Sequence, residues 1–281
     1  MPNYDWSDNG PSKIFSGDNL LVMKNLPDES FTVCYLDPPF NTGRKQTRIS
    51  SKSTANHLSS RKGFGDRTYD FRIESVTSYD DQFEDYWRFL APRLIEAWRL
   101  LTENGTMYLH LDWRESHYAK VAMDQLFGRE NFLNEIIWAY DYGAKSKRKW
   151  PTKHDTILVY AKKKGNHIFN NEEIDREPYM APNLVGPAKA AKGKLPTDVW
   201  WHTIVSPTGR EKTGYATQKP LGILRRVITA SSKPGNWILD PFGGSGTTGH
   251  AAGELGRKFV LIDSNQEALR IMTKRLSHYF L

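Results

Sequence analysis

Two apolar runs, separated by about two hundred residues, each end on an Asp-Pro step, and the first of them constrains the fold most. Phe31-Thr32-Val33-Cys34-Tyr35-Leu36 has the β-branched and aromatic content of a buried strand, and Asp37-Pro38-Pro39-Phe40 cuts it off. A carboxylate therefore stands at the carboxyl end of a strand. Prolines fix φ and donate no backbone N–H, so the carbonyls around them point outward beside Asp37 without ladder partners. Such a ring of acceptors suits a planar group with two N–H donors, for example the exocyclic amine of a nucleobase, and Phe40 offers a ring on which a base could stack. A lone Asp-Pro-Pro also reads as an ordinary strand-ending turn.

The second run shifts that balance. Asn236-Trp237-Ile238-Leu239-Asp240 reads as a short strand, and Pro241-Phe242-Gly243-Gly244-Ser245-Gly246-Thr247-Thr248-Gly249 as a turn opening a helix to Leu255. Strand, glycine-rich turn, helix is the geometry that lets backbone pass close to a ligand and aims free N–H groups at it. No lysine follows the glycines as a triphosphate loop needs, and the spacing does not match the dinucleotide G-x-G-x-x-G. The next strand, Lys258 to Ile262, ends at Asp263, an acid placed to accept from two ribose hydroxyls. An adenosine-type ligand with an anionic tail fits this set. Upstream, Thr217-Gln218-Lys219-Pro220 starts a helix whose N-terminus and Lys219 could hold the tail. Taken alone, Lys219 reads as a surface lysine rather than a ligand contact.

The rest of the chain supplies scaffold and basic surface. Lys13 to Ser16 reads as a strand, and Asp18 as the cap of a helix through Asn25. Asp80 to Leu101 has the three-and-four spacing of an amphipathic helix with Pro92 as a kink, ended by Asn104-Gly105. Strands follow at Thr106–Leu111, 135–140 and 156–161, with a helix at 115–127. His110 and Asp112 at the end of the first of these read as structural. Residues 44–78 read as a basic loop: the stretch 44–72 carries eight Lys/Arg, among them Arg44, Lys45 and Arg48, against two acids. Lys147, Arg148 and Lys149 lie in a second basic stretch interleaved with Tyr142 and Trp150, which is a candidate for phosphate contacts. Residues 165–207 are irregular and read as a small substrate-reading module or a passive insertion. With 39 Lys/Arg and 32 Asp/Glu the chain carries +7, which suits a polyanionic partner. A single cysteine, Cys34, points to a reducing compartment, no metal-ligand cluster is visible, and neither a signal peptide nor a bilayer-spanning run is seen. A soluble, cytoplasmic, DNA-associated protein is expected.

Together Gly17-Asp18-Asn19, Asp37-Pro38-Pro39-Phe40, Asn104-Gly105, Thr217-Gln218-Lys219-Pro220 and Asp240-Pro241-Phe242-Gly243-Gly244-Ser245-Gly246-Thr247-Thr248 resemble the amino-DNA methyltransferases, in the order of that family's β group. The resemblance implies an α/β, Rossmann-like fold: a mostly parallel seven-stranded sheet with helices on both faces and a small inserted target-recognition segment. Residues 1–140 would form the catalytic half, 141–207 the basic and irregular region with the target-recognition segment, and 208–281 the half that binds S-adenosyl-L-methionine. Asp37, Pro38, Pro39 and Phe40 are then catalytic, and Asp18, Thr217, Lys219, Asp240, Phe242, Gly244, Ser245, Thr247 and Asp263 hold the cofactor. The partner implied is double-stranded DNA, with a cognate restriction endonuclease and a homodimer left open.

The family's aromatic after Asp-Pro-Pro is commonly Tyr and here is Phe40, which keeps the π-face and loses the hydroxyl. Its adenine enzymes usually begin the motif with Asp, so Asp37 favours adenine N6 over cytosine N4. RNA and a protein glutamine amide are rival acceptors, since both offer planar N–H groups, and a DNA-binding module on a degenerate enzyme fold is a rival of another class. The enzymatic reading requires that the two strand tips share one cleft.

Overall fold

The computed structural model describes residues 6–43, 46–55, 69–79, 85–143, 145–206 and 208–280. Its strands are β1 (Lys13–Ser16), β2 (Phe31–Leu36), β3 (Gln46–Ala55), β4 (Tyr69–Tyr79), β5 (Leu101–Leu111), β6 (Phe132–Ala139), β7 (His154–Ala161), β8 (Val199–Trp201), β9 (Trp237–Asp240) and β10 (Lys258–Asp263). The helices are α1 (Asn19–Lys24), α2 (Tyr86–Leu100), α3 (Ser116–Phe127), α4 (Pro187–Lys192), α5 (Leu221–Ser231), α6 (Thr247–Glu254) and α7 (Gln266–Leu276). Residues 41–84 form a compact unit of their own, in which β3 and β4 pair antiparallel, and the remainder forms the other unit.

The larger unit is built on one eight-stranded sheet in the order β1-β10-β9-β2-β5-β7-β6-β8. Five strands from β1 to β5 run parallel, β7 is antiparallel to both its neighbours, and β8 lies parallel to β6. Every residue of β2 is buried, as expected of a strand covered on both faces. The chain leaves β9 through α6 to β10 on one side, and leaves β2 by way of α2 to β5 on the other. The crevice at the carboxyl ends of β2 and β9 is thus the switch point of the sheet, where open α/β folds bind ligands.

Three expectations are corrected. The sheet has eight strands rather than seven, because Trp200 turns into the core and carries residues 199–201 onto the edge of β6, where Ile137 pairs with Val199. The expected basic loop of 44–78 contains two long paired strands: Gln46–Ala55 is too polar to announce itself, whereas Tyr69-Asp70-Phe71-Arg72-Ile73-Glu74 alternates apolar and polar residues, a strand signal that sequence reasoning missed. The helix that begins at Tyr86 stops at Leu100, and Asn104-Gly105 sits inside β5. There the register slips from Phe31↔Leu101 to Val33↔Thr106, and a Cβ on Gly105 would come within 3.1 Å of the Phe31 carbonyl oxygen. That glycine serves a strand bulge rather than a helix end.

Candidate active site

β2 and β9 are direct neighbours, with Val33 opposite Ile238 and Cys34 opposite Leu239, so their carboxyl tips lie side by side. Asp37 leaves the first tip with its side chain 17% exposed. The Lys219 ammonium donates to both of its oxygens at 2.7 Å each, and lies 4.7 Å from the centroid of the Phe40 ring. The two prolines behave differently. Tyr86 Oη donates to the Pro39 carbonyl at 2.7 Å, whereas the Pro38 carbonyl accepts no hydrogen bond among the described residues. One acceptor beside Asp37 is thereby consumed and one is left for a ligand.

Beneath Phe40 stands His110, wholly buried, with ring centroids 5.9 Å apart. Burial, with Asp37, Asp240 and Asp155 adding negative charge, pushes the Tyr35 phenol well above its ordinary range, so Tyr35 stays protonated and donates to His110 Nδ1 at 2.6 Å. His110 Nε2 then carries its hydrogen toward Asp155 Oδ2 at 3.1 Å, and Tyr140 donates to the other Asp155 oxygen. Burial opposes ionisation of Asp155, but the His110 hydrogen bond, with the Lys219 charge and the Tyr140 hydrogen bond, holds it below the usual carboxylate range. His110 is therefore a strut under the Phe40 ring. Asp112 is turned away to Arg114.

The second tip is a glycine turn held from several sides. Asp240 is 3% exposed and closes its own turn by accepting from Phe242 N at 2.9 Å and Thr248 Oγ1 at 2.6 Å. Burial pushes it up to about 7; those two bonds oppose the shift, and the charges of Asp37 and Asp263 add to it. Gly244 has φ +50° and lies against Tyr215, whose ring a Cβ there would meet at 3.2 Å. Gly246, with φ +74°, starts α6. From the tip of β10, Asp263 Oδ2 accepts from Gly244 N at 2.9 Å and Oδ1 from Asn265 N at 2.8 Å, so each oxygen keeps a lone pair. Burial raises its pKa, against those backbone bonds.

Asp18 caps α1 by accepting from Leu20 N and Leu21 N, and Arg93 on α2 pairs with it at 2.7 Å while donating to Asn19 Oδ1 at 2.6 Å. Asn19 Nδ2 in turn donates to the Pro241 carbonyl at 2.6 Å. The cap of α1 is thus bolted to the glycine turn. Phe242 packs on Phe89 at 6.2 Å.

The structure brings Asp37, Phe40, Lys219, Asp240, Gly244 and Asp263 to the one crevice, but it redistributes their partners. Lys219, expected on a ligand's carboxylate, is on Asp37. Ser245 and Thr247, expected on the ligand, are buried: Ser245 Oγ bonds Thr247 Oγ1 at 3.0 Å, Thr247 donates to the Lys219 carbonyl at 3.2 Å, and Arg275 donates to Ser245 O and Thr247 Oγ1. Thr217 is exposed, and the buried Gln218 ties its own loop through Thr213 and Glu211. Lys147, Arg148 and Lys149 are exposed, Trp150 is 93% exposed, and Lys149 lies 5.1 Å from the Trp113 ring. Arg44 and Lys45 fall outside the described residues, and Arg48 is described only by its backbone in β3. Sequence reasoning missed Tyr86, Arg93, Tyr215 and Arg275. Of these Arg93 carried a signal: an arginine amid the apolar positions of α2, three residues after Leu90, had to find an acid, and finds Asp18.

The chain as a whole is similar to known proteins. A family model for N6/N4 methyltransferases, described as DNA methylase, matches residues 31–274. The DNA adenine methyltransferase YhdJ of Escherichia coli K12 is 30% identical over 282 residues, 96% of this chain and 85% of that protein. Among solved structures, M1.HpyAVI in complex with SAM superposes with a TM-score of 0.59 at 21% identity, covering 94% of this chain and 98% of that one. The cytosine-N4-specific PvuII DNA methyltransferase gives 0.64 at 14% identity, covering 95% and 86%. With nearly its whole length matched, the chain belongs to the DNA methylase family of N6/N4 methyltransferases.

Proposed function

We propose that this protein methylates the exocyclic amine of a flipped-out base in duplex DNA, adenine N6 in preference to cytosine N4, with S-adenosyl-L-methionine as donor. The observation that carries the reading is the adjacency of the two strand tips: a partly open carboxylate and an unused proline carbonyl stand next to a glycine turn with an acid at its side. The residues fit the cofactor. Gly244 and Tyr215 form a cradle that a Cβ would crowd, and Asp263 retains acceptor capacity for two ribose hydroxyls. When bound, the cofactor supplies an electrophilic methyl group on a sulfonium.

The chain's own residues supply position and charge. Extruding a base from duplex DNA costs a few kcal/mol, offset in part by stacking on Phe40. The amine lone pair is delocalised into the base. By accepting its two N–H groups, Asp37 and the Pro38 carbonyl hold the nitrogen nearer tetrahedral and stabilise the positive charge that grows on it during attack. Direct transfer needs no enzyme nucleophile, in keeping with Cys34, which lies buried in β2 with its thiol pushed up by that burial. Asp37 at the head of the motif and the relative YhdJ, an adenine enzyme, support adenine. The exposed Lys147, Arg148 and Lys149 suit duplex phosphates. Tritiated methyl transfer to DNA, RNA and protein, followed by methylation-sensitive sequencing, tests the reading. N6-methyladenine at a fixed sequence is expected; label on cytosine N4 would overturn the base assignment, and label on RNA or protein alone the DNA assignment.

A further inference from the structure

Lys219 sits where a substrate should. Its ammonium bonds both Asp37 oxygens at 2.7 Å and lies 4.7 Å from the centroid of the Phe40 ring, so one cation fills the space between the carboxylate that would hold the amine and the ring that would hold the base. Its backbone is fixed elsewhere: the Lys219 carbonyl accepts from Thr247 at the start of α6, and Pro220 follows directly. The residue is therefore anchored on the glycine turn and reaches the catalytic acid only by its flexible four-carbon stem.

Resting on the proposed DNA-methylating function, we propose that Lys219 occupies the target-amine site in the cofactor-free enzyme and is drawn off Asp37 by the cofactor's carboxylate, so that base entry waits for the cofactor. Two physical reasons require the move. An ammonium on Asp37 repels the positive charge that develops on the attacking amine, and a base cannot stack on Phe40 while the cation covers it. The carboxylate is the natural trigger. With both side chains less than one-fifth exposed, separating the pair leaves two poorly solvated charges, and Lys219 needs a replacement anion. A ligand with an amino-acid tail brings one to the turn on which Lys219 is anchored. Lys219 is thus a positioning residue that couples two sites.

The test places 2-aminopurine at the target adenine, once sequencing has located it, and follows its fluorescence on flipping. Sinefungin, which carries the amino-acid carboxylate, is compared with 5′-methylthioadenosine, which lacks it. In the wild-type protein sinefungin is expected to raise the flipped population about tenfold over methylthioadenosine. Lys219→Met is expected to flip the base equally with either analogue or with none. Equal flipping by the two analogues in the wild-type protein would overturn the coupling, and that comparison needs no variant to fold. Wild-type methyl transfer to DNA is measured alongside: transfer with equal flipping sinks the Lys219 proposal alone, whereas no transfer to DNA sinks the function on which it rests.

Discussion

Two adjacent strands of one sheet end in the same dipeptide, Asp37-Pro38 on β2 and Asp240-Pro241 on β9, and the two acids meet opposite fates. Asp240 is sealed, accepting from the N–H two residues on, that of Phe242, and from Thr248. Asp37 stays partly open and is met by the side chain of Lys219, 182 residues away. The difference lies in the third residue. Where β9 continues with Phe242, a backbone N–H returns to cap the carboxylate; where β2 continues with Pro39, there is no N–H to return. The second proline denies Asp37 an intramolecular cap and so keeps a carboxylate available at a strand tip. One tip holds a turn in shape, and the other keeps the carboxylate to which the proposed function assigns the substrate amine.

That contrast predicts a division of labour. Asp37→Ala should lower methyl transfer by about a thousandfold while sinefungin affinity is kept or rises by up to about tenfold, since the lost interaction acts on the developing charge and Lys219 no longer has to be drawn off Asp37. Retained turnover in a single-turnover assay would return Asp37 to the status of a turn residue. Asp263→Ala should do the reverse, weakening sinefungin about thirtyfold in titration calorimetry with DNA affinity nearly unchanged, the size of a lost charged hydrogen-bond pair. Unchanged cofactor affinity would erase the distinction between the two tips.

Pro39→Ala addresses the cause of the contrast. An N–H restored at position 39 should cap Asp37 as Phe242 caps Asp240, lowering kcat about tenfold, one hydrogen bond's worth, without moving sinefungin affinity. Wild-type kcat in this variant would show that the missing donor is not what keeps Asp37 available.

How much of this was legible followed from the range of the forces involved. Both strand tips, the glycine turn and the helices of the parallel half were readable, because apolar runs and Pro/Gly punctuation act over a few residues. β3 was not, since Gln46–Ala55 is too polar to alternate, and β8 is a three-residue strand fixed by where Trp200 finds its core; β4 was legible in the alternation of Tyr69, Phe71 and Ile73 with Asp70, Arg72 and Glu74, and was missed only because the basic charge around it read as a loop. The partners of Lys219, Ser245 and Thr247 were hidden for a different reason. The types of these residues suited a ligand, but Asp37 lies 182 positions from Lys219 and Arg275 lies 30 from Ser245, distances that spacing does not encode.

The remaining effect falls on stability rather than activity: it concerns the sealed tip and depends on pH. Burial raises Asp240 from 3.8 to about 7, so between those values the folded protein retains a proton that the unfolded chain has released. A carboxyl raised in this way contributes stability that is fully present below its unfolded value and is lost as pH climbs through the folded one. Asp240→Asn cannot titrate, yet its carbonyl can still accept from Phe242 N, and its amide can donate to the Thr248 hydroxyl once that hydroxyl rotates. Wild type and variant should therefore melt together at about pH 4, while at about pH 8 the variant should gain on the order of 4 kcal/mol, about 1.4 kcal/mol for each of the roughly three pH units between the two values, or roughly 10 °C in Tm. Parallel melting curves across that range would mean that Asp240 ionises freely in the folded protein, and that the two tips differ less than their hydrogen bonds imply.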